Sequence, residues 1–366
     1  MGKNKLTILG LGKLGLPFSL LLEKNGFSIL GVDINRKYVD DINKKTIDTN
    51  EPKVKKYLQI AKDFKATTNV KRGIEYSDYL FILVATPSLK DGRYDHRQID
   101  GIARDLIKYS SPGQKKNVII CCTTMPGYCD KLQNKLKPYG YSVSYNPEFI
   151  AQGSVIEDLA NPDIVLIGES NNYVGDKIEN IYLTIVKNEP SFHRMSTKEA
   201  EITKIALNCF LTTKIAYANM VGDIAISADC NPDLILRAIG SDSRIGEKYI
   251  NYGYGFGGPC LPRDNKAFSK FAGDQNIKAV ISQASDMAND QHLDFQLQQF
   301  KKINDKREKI IFKDVTYKIG TTIIEESQKL KLAILLAHSG YKIVIKDNPK
   351  TISQIKKIYG DLFEYI

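Results

Sequence analysis

The first half of the chain alternates short apolar runs with helical patterns. Runs at 5–9 and 28–32 flank a helical pattern that ends near Asn25, which is the order strand, helix, strand. Further buried strands are predicted by the same kind of run at 79–84, 118–122, 142–144 and 164–167. The pattern is typical of an α/β fold with a parallel sheet, and we expect residues 1–195 to form a Rossmann-type domain.

The pattern changes at residue 196, where a long helix is predicted. Ser196 and Glu199 have the spacing of a capping box, and no helix breaker follows before about Ala228. Further helices are predicted at 231–240, 265–275 and 280–304. We expect residues 196–305 to form a central helical domain, and the length of its first helix suggests a homodimer interface.

The last part of the chain returns to an α/β pattern. A strand is predicted at 310–317, followed by a helix near 326–339, a strand at 342–345 and a last helix at 352–359. This order resembles a second nucleotide-binding unit, although it lacks a G-x-G-x-x-G motif. Residues 306–366 are therefore predicted to be a small C-terminal α/β domain.

A glycine-rich turn follows the first predicted strand. Residues 10–15 form a G-x-G-x-x-G motif that opens a helix, and the second predicted strand ends on Asp33. This order is the dinucleotide-binding fingerprint, in which the pyrophosphate lies at the helix N-terminus and the acid accepts hydrogen bonds from the adenosine ribose. We expect cofactor contacts from Gly10, Leu11, Gly12, Leu14 and Gly15.

Asp33 also bears on the choice of cofactor. Its negative charge repels a 2′-phosphate, so NAD is predicted over NADP, while Arg36 and Lys37 are close enough in sequence to weaken the preference. Ligands of parallel sheets bind at the carboxyl ends of the strands. The loops after the third and fourth predicted strands, which contain Thr86 and Thr123, should therefore border the cofactor.

Composition narrows the class of protein. The net charge of +10 permits nucleic-acid binding, yet the lysines are spread among acids without a basic stripe, so we expect an anionic small substrate or simply a lysine-rich source. No apolar run reaches the roughly 18 residues that a membrane helix needs. The histidines lack the spacing of a metal site, and no metal is predicted. The cysteines form no C-x-x-C pair, and the first strand begins too early for a signal peptide, which favours a cytoplasmic location.

Cys260 lies in a segment with unusual chemistry. Four glycines precede it, prolines flank it, and Arg263 and Asp264 follow, so the thiol is placed like a nucleophile beside a cation and a carboxylate. The alternative is a glycine-rich turn that happens to contain a cysteine. On the long helix, Lys204 and Asn208 are four residues apart and share a face, which suggests either a polar site or a solvated edge.

Several motifs together resemble the UDP-glucose/GDP-mannose 6-dehydrogenase family over essentially the whole chain. The family pattern G-F-G-G-x-C-L-P-K-D appears at 255–264, with Arg263 in place of lysine. The helix pattern A-E-x-x-K-x-x-x-N begins at Ala200. The N-P-E-F turn occurs at 146–149, and a variant of S-T-x-x-P-G occurs at 122–127.

The resemblance implies an NAD-dependent, two-step oxidation of the C6 alcohol of a nucleotide sugar, UDP-glucose above all, to a carboxylate. Cys260 would carry the aldehyde as a thiohemiacetal and then as a thioester. Lys204 and Asn208 would stabilise the oxyanion on the C6 oxygen. The water and its protons would be positioned by Thr123, Glu148 and Asp264.

The resemblance also implies the binding residues. Thr86, Thr123 and Arg263 would contact the cofactor, and Arg244 would reach the substrate from the partner subunit of a homodimer. The nucleotide sugar would be bound by Glu148, Phe149, Lys204, Asn208, Arg244, Tyr249, Phe256, Gly257 and Lys318.

The chain departs from the family pattern in four places. Gln152 replaces a glutamate, Glu325 replaces an arginine, and Met220 replaces an acid. The C-terminal domain at 306–366, which the resemblance implies binds the nucleotide sugar, is also shorter than usual. Three hypotheses stay open: a UDP-glucose 6-dehydrogenase, the same chemistry on GDP-mannose or a UDP-N-acetylhexosamine, and a catalytically silent nucleotide-binding scaffold.

Overall fold

A computed structural model describes residues 4–150, 153–304 and 308–366 of the chain. The chain forms two compact units. The first ends at Lys204, and the second extends from Ile205 to Ile366. The predicted three-domain division stays a prediction, and its boundary at 305/306 lies outside the described residues, as does Gln152.

The first unit is an α/β layer structure. Within its described residues, eight strands form one sheet: β1 (Lys5–Leu9), β2 (Ser28–Val32), β3 (Phe64–Thr67), β4 (Tyr79–Ile82), β5 (Lys116–Ile120), β6 (Tyr141–Tyr145), β7 (Ile164–Gly168) and β8 (Ser191–Met195). The helices are α1 (Gly15–Lys24), α2 (Arg36–Asn43), α3 (Val54–Ile60), α4 (Val70–Tyr76), α5 (Arg97–Lys108), α6 (Tyr128–Leu136), α7 (Val155–Ala160) and α8 (Asn172–Ile185), with a 3-10 turn at Lys137–Tyr139.

The strand order is β3-β2-β1-β4-β5-β6-β7-β8, so the chain reverses direction across the sheet between β1 and β4. Successive side chains of β1 enter different cores, with Ile8 on one face and Leu9 on the other. Burial on both faces explains why the strands are continuously apolar rather than alternating. The predicted α/β fold is confirmed, with one addition: β6 and β7 pair antiparallel, through Tyr145 and Gly168.

Two predicted strands end earlier than their apolar runs. Ile82 and Ile120 are the last paired residues of β4 and β5, so Val84, Cys121 and Cys122 belong to the loops that follow. Cys121 is nevertheless buried, as expected for a core residue. The apolar run therefore continues into the loops at the carboxyl ends of the strands.

The long helix α9 extends over Thr197–Ser227, close to its predicted bounds. Its capping box is confirmed: the Ser196 N–H donates to Glu199 Oε2 at 2.8 Å, and the Glu199 N–H donates to Ser196 Oγ at 3.4 Å. The serine and the glutamate thus satisfy backbone donors that would lack partners at the start of the helix.

The second unit combines helices with a smaller parallel sheet of order β11-β10-β9 in its described residues. Its further elements are α10 (Pro232–Gly240), α11 (Leu261–Asp274), α12 (Val280–Ile303), β9 (Lys309–Lys313), α13 (Gln328–His338), β10 (Lys342–Lys346), α14 (Pro349–Tyr359), a 3-10 turn (Gly360–Leu362) and β11 (Glu364–Tyr365). The strand predicted to reach Tyr317 ends at Lys313, because Asp314 adopts a positive φ of 51°. The two-residue β11 was not predicted.

Candidate active site

The glycines of residues 10–15 serve different purposes. Gly10 has a φ of 98°, and a Cβ there would lie 2.5 Å from the Leu83 carbonyl oxygen. A Cβ at Gly15 would lie 1.9 Å from the Gly10 oxygen, so the packing of α1 against the turn requires both glycines. A Cβ at Gly12 would meet no protein atom within 4 Å. The fold itself does not demand Gly12, which fits close approach by a pyrophosphate.

Asp33 is joined to the same turn by hydrogen bonds. The Leu11 N–H donates to Asp33 Oδ2 at 3.0 Å, and the Asn35 N–H donates to Oδ1 at 2.9 Å. The Tyr38 hydroxyl donates to the Leu11 oxygen, and burial together with the charge of Asp33 raises the pKa of Tyr38 to about 12. The carboxylate is partly exposed and keeps acceptor capacity, so these residues fit a dinucleotide with an adenosine ribose.

The loops after β4 and β5 contact each other, as their positions in the sheet predict. Thr86 is buried, and its Oγ1 donates to the main-chain oxygen of Thr123 at 2.8 Å. The two predicted cofactor residues are thus brought together at the carboxyl edge of the sheet, the usual ligand edge of such folds.

Glu201 anchors the loop that follows Thr123. Its buried carboxylate accepts hydrogen bonds from the Thr124 hydroxyl at 2.8 Å, the Gly127 N–H at 2.6 Å and the Cys129 N–H at 2.9 Å. Burial raises the pKa of Glu201, while these hydrogen bonds favour its ionised form. A carboxylate is also favourable at the start of α6. Glu201 is part of the helix pattern that begins at Ala200, but the sequence predicts no role for it.

His96 supports the same loop from another direction. The Met125 N–H donates to His96 Nε2 at 3.2 Å, and the imidazole stacks on the Tyr128 ring with centroids 3.9 Å apart. Burial lowers the pKa of His96 to about 4, so the ring is neutral and can accept. A lone histidine in the sequence gave no signal for this role.

Lys204 lies against the N-P-E-F turn. Its Nζ donates to the main-chain oxygen of Glu148 at 2.8 Å and lies 4.3 Å from the centroid of the Phe149 ring. The side chain is only 7% exposed, and Asn208 is 9% exposed, so the solvated-edge alternative for this helix face is excluded. A buried ammonium group beside a ring face is a cation that can stabilise developing negative charge.

Glu148 is a carboxyl group in an environment that favours its neutral form. Burial raises its pKa to about 7, although the Tyr182 hydrogen bond and the Lys204 charge both act to lower it. The Tyr182 hydroxyl lies 2.6 Å from Glu148 Oε1. A carboxyl group that titrates near neutrality can both take up and release protons at working pH. Tyr182 was not predicted, since nothing marks it in the sequence.

In the second unit, the side chains of Asn208 and Asp264 meet. Asn208 Nδ2 donates to Asp264 Oδ2 at 2.6 Å, and Asp264 is 1% exposed. Arg263 Nε approaches Asp264 Oδ1 at 3.4 Å. The helix asparagine and the aspartate of the cysteine segment, which were predicted separately as site residues, are therefore in direct contact.

Cys260 is the N-cap residue of α11 and is exposed. Backbone N–H groups and the helix dipole at such a position favour a thiolate. Burial, and to a smaller extent the charge of Cys260, raise the pKa of Tyr317. Among the described cysteines, Cys230 is also exposed, whereas burial raises the pKa of Cys122 and Cys209 to about 12.

The segment before Cys260 is bound by buried side chains of other helices. The Phe256 N–H donates to Asn289 Oδ1 at 2.8 Å, and Asn289 Nδ2 donates to the Phe256 oxygen at 3.1 Å. The Gly253 N–H donates to Asn219 Oδ1 at 3.0 Å, and His292 Nε2 contacts the Gly253 oxygen at 2.7 Å. None of these three partners was assigned a role from the sequence.

Three glycines of this segment are required by packing. A Cβ at Gly255 would lie 2.3 Å from Asn289 Oδ1, and one at Gly257 would lie 2.2 Å from the Glu326 oxygen. Gly258 has a φ of 78° and packs against the Tyr317 ring. Gly257, predicted to contact substrate, thus has a structural reason to be glycine, and Phe256 is buried.

The other predicted substrate residues lie on the surface of the second unit. Arg244 is exposed and pairs with Asp242, with Nη2 and Oδ2 2.7 Å apart. Tyr249 is exposed with a φ of 68°, and Lys318 is exposed, its main-chain oxygen accepting from Thr316. Their roles stay predictions.

The described residues contain no group of three or more histidine, cysteine, aspartate or glutamate side chains that could hold a metal ion. No helix among them has both the length and the apolar character needed to cross a membrane.

Comparison with known proteins gives matches over most of the chain. The NAD binding domain of the UDP-glucose/GDP-mannose dehydrogenase family matches residues 4–186, and the central domain of that family matches residues 198–291.

Individual relatives match over a greater length of the chain than either family domain. A UDP-glucose 6-dehydrogenase of Rickettsia felis is 28% identical over 341 residues, covering 90% of this chain and 75% of the relative. A GDP-mannose 6-dehydrogenase of Pseudomonas aeruginosa is 26% identical over 376 residues, covering 99% of this chain and 84% of the relative. The solved structure of a UDP-glucose dehydrogenase from the archaeon Pyrobaculum islandicum has a TM-score of 0.89 at 26% identity, covering 100% and 86% of the two chains.

Proposed function

Because this chain belongs to the UDP-glucose/GDP-mannose dehydrogenase family, whose cofactor is NAD, we propose that it oxidises the C6 alcohol of UDP-glucose to the carboxylate of UDP-glucuronate. NAD, when bound, accepts one hydride in each of the two oxidations. The chain's own residues bind the dinucleotide, activate the sugar and hold the intermediate between the two steps.

One observation carries the proposal: Asn208 is hydrogen-bonded to Asp264 in the first turn of the helix that begins after Cys260. A nucleophilic thiol, an amide donor and a buried carboxylate therefore come from two helices of one unit. Acyl transfer through a cysteine needs these three kinds of group, for attack, oxyanion stabilisation and water activation.

The proposed reaction proceeds in balanced steps. The C6 hydroxyl oxygen loses a proton and the C6 carbon loses a hydride, which gives an aldehyde. The Cys260 thiolate then adds to the aldehyde carbon, and the oxygen takes up a proton to give a thiohemiacetal. Loss of a second hydride and the hydroxyl proton gives a thioester. Water then cleaves the carbon–sulfur bond, which releases the carboxylate and restores the thiol.

The remaining roles follow the chemistry of each group. Lys204 and Asn208 stabilise the oxyanion on the C6 oxygen, as a buried cation and an amide donor do. Thr123, Glu148 and Asp264 position water and relay protons, which the near-neutral pKa of Glu148 supports. Arg263 is proposed to contact the cofactor.

GDP-mannose is the second candidate substrate. The Pseudomonas aeruginosa relative named above acts on it and is almost as similar to this chain as the Rickettsia felis protein. The scaffold hypothesis has less support, because a protein that only binds nucleotides has no use for an exposed thiol beside an Asn208–Asp264 pair.

We further propose a homodimer through α9. An exposed apolar stripe on this helix supports it: spacings of seven, three and four residues put its members on one face. The stripe consists of Phe210, Tyr217, Met220 and Ile224. Arg244 is proposed to reach the substrate of the other subunit. The domain division at 195/196 and 305/306 and a cytoplasmic location remain part of this proposal.

The test is NADH formation with a panel of nucleotide sugars. UDP-glucose is expected to give the highest kcat/KM, with about two NADH for each UDP-glucuronate formed. GDP-mannose as the better substrate would identify the second candidate, and a ratio of one NADH with release of free aldehyde would contradict the thioester route.

A further inference from the structure

The hydroxyl of Tyr182 on α8 lies between two oxygen atoms. It is 2.9 Å from Asn146 Oδ1 and 2.6 Å from Glu148 Oε1. The amide of Asn146 is oriented by its Nδ2, which donates to the Leu166 carbonyl oxygen at 3.0 Å, so its oxygen faces Tyr182. Because a tyrosine hydroxyl has one proton, it cannot donate to both oxygens at once.

The hydrogen bonds therefore have two forms that differ in the charge of Glu148. When Glu148 is ionised, the Tyr182 O–H donates to the carboxylate, and Asn146 Oδ1 loses that donor. When Glu148 is protonated, its carboxyl O–H donates to the tyrosine oxygen, and the Tyr182 O–H donates to Asn146. All three groups are satisfied only in the second form.

We propose that Tyr182 is a positioning residue whose single hydroxyl proton moves between Asn146 and Glu148 as the charge of Glu148 changes. The inference rests on the proposed function, in which Glu148 takes up and releases a proton through water. Asn146 competes for the hydroxyl proton and so favours the protonated carboxyl. Tyr182 itself favours the ionised carboxylate, since it is the donor that reaches it.

Asn146 and Tyr182 are both almost fully buried, at 1% and 2% exposure, so water is a poor substitute for either partner. Asn146 directly follows β6, and its N–H donates to the Ile120 oxygen, which fixes its position relative to β5. The competition for the hydroxyl proton is thus built on rigid elements.

The other charged or titratable groups around Glu148 come from separate elements. Lys204 of α9 favours the ionised carboxylate, and Cys121 after β5 has a pKa that burial and the charge of Glu148 both raise. Asp158 of α7 lines the same small cavity as Glu148 and Tyr182. Since burial brings the pKa of Glu148 to about 7, a small change in these hydrogen bonds alters its charge at neutral pH.

Two single variants test the inference, because they should shift the pKa of Glu148 in opposite directions. Tyr182→Phe removes the donor to the carboxylate and is expected to raise the pKa of Glu148. Asn146→Leu removes the competing acceptor and is expected to lower it, each by roughly half a pH unit or more. The pKa is read from the side-chain carboxyl signal in a protein labelled with [5-13C]glutamate, assigned by its loss in Glu148→Gln.

Tyr141→Phe is the matched control, because Tyr141 is also buried and donates a single hydrogen bond, to the Leu106 oxygen at 3.0 Å. It should leave the Glu148 titration unchanged. Should Asn146→Leu not fold, 3-fluorotyrosine placed at position 182 replaces it; this stronger donor is expected to lower the pKa of Glu148. Shifts in the same direction for donor removal and acceptor removal, or no shift in Tyr182→Phe, would overturn the inference.

The titration needs no substrate, so it separates this inference from the proposed function. Absence of turnover in the unsubstituted protein would defeat the proposed function while the carboxyl titration still tests the hydrogen bonds. With turnover, the acidic limb of the pH dependence of kcat should move in the same direction as the Glu148 titration in each variant. An acidic limb that stays fixed while the carboxyl pKa moves would refute the positioning role of Tyr182 in the reaction.

Discussion

Asn208 and Asp264 share a hydrogen bond of 2.6 Å, although 56 residues separate them in the chain. The contact joins α9 to the first turn of α11, immediately after Cys260. Removal of either side chain would leave a buried polar group without its partner, at a cost of about 1–3 kcal/mol. Stability and the proposed chemistry thus depend on the same pair.

Cys260→Ala is expected to abolish acid formation while nucleotide binding persists. The substitution removes the acyl carrier but little binding surface, so UDP-glucuronate production should fall by roughly 10³-fold or more, with NAD binding unchanged. Chromatography of products and calorimetric titration with NAD measure the two effects. Acid formation near the unsubstituted rate would end the thioester mechanism.

Iodoacetamide should label Cys260, with protection by UDP-glucose. Cys230 is exposed as well, so the experiment is best done in a Cys230→Ser background, and peptide mapping should then find little label on the buried Cys121 and Cys129. Labelling at Cys260 that inactivates nothing would contradict the assigned role.

Asp33→Ser is expected to weaken the preference for NAD over NADP by about tenfold or more, a change worth about 1.4 kcal/mol. The variant removes the charge that repels a 2′-phosphate and leaves Arg36 and Lys37 to meet one. The ratio of kcat/KM for the two cofactors measures it. Asp63→Ser, at an acid outside the glycine turn, is a control that should keep the ratio. An unsubstituted protein that uses NADP as well as NAD would contradict the role of Asp33.

Glu201→Gln should destabilise the protein by about 2–3 kcal/mol, because charge-assisted hydrogen bonds to three donors are lost or weakened. The loop that carries Thr123 should lose order, and kcat should fall more than KM rises. Urea denaturation and steady-state kinetics provide the measurements, with Glu199→Gln at the exposed capping box as the matched carboxyl-to-amide control. Equal effects of the two substitutions would argue against a special role for Glu201.

Glu148 should make the stability of the protein decrease as the pH rises. Its folded pKa of about 7 lies above the ordinary 4.5, so the folded state binds the extra proton, and this contribution to stability is lost as pH rises from about 4.5 through 7. Glu148→Gln removes that dependence. The difference in Tm, variant minus unsubstituted protein, should therefore increase between pH 5 and pH 8, and a difference that stays constant would show that Glu148 titrates normally.

Phe210→Glu should convert a dimer to a monomer, since it places a charge within the exposed stripe of α9. Ile60→Glu, at a similarly exposed apolar residue of α3, should not. Light scattering at micromolar concentration distinguishes the two states. A monomer before any substitution would contradict the proposed dimer.

The periodicity of apolar residues and the start and stop signals of helices were sufficient to predict much of the fold. The α/β class, the capping box at Ser196 and the extent of α9 follow from local patterns, which the structure confirms. The ends of the strands were less predictable. The apolar run continues past Ile82, the last paired residue of β4, into a loop whose residues are apolar because they are buried and not because they pair in the sheet. The positive φ of Asp314 likewise leaves no mark in composition.

The residues of the candidate site also fall into two groups: those that the sequence marks and those that only the tertiary structure reveals. Motif residues such as Lys204 and Asp264 can be singled out from the sequence, but their burial and partners depend on tertiary packing. Tyr182, His96 and Asn289 contact motif residues or loops from remote elements, and each is an ordinary residue in its own segment. No local pattern distinguishes such a partner from a tyrosine, histidine or asparagine of the core.

The segment before Cys260 takes its shape from Asn219, Asn289 and His292, which lie 33 or more residues away from the main-chain atoms that they bind. The position of the proposed nucleophile therefore depends on side chains from the whole stretch 219–292, and not on the ten-residue motif at 255–264 alone. If the motif alone were transferred to another protein, it would supply the thiol but not the side chains that fix the main chain before it. A single substitution at Asn289 would remove both hydrogen bonds to the Phe256 main chain while every residue of the motif remained intact.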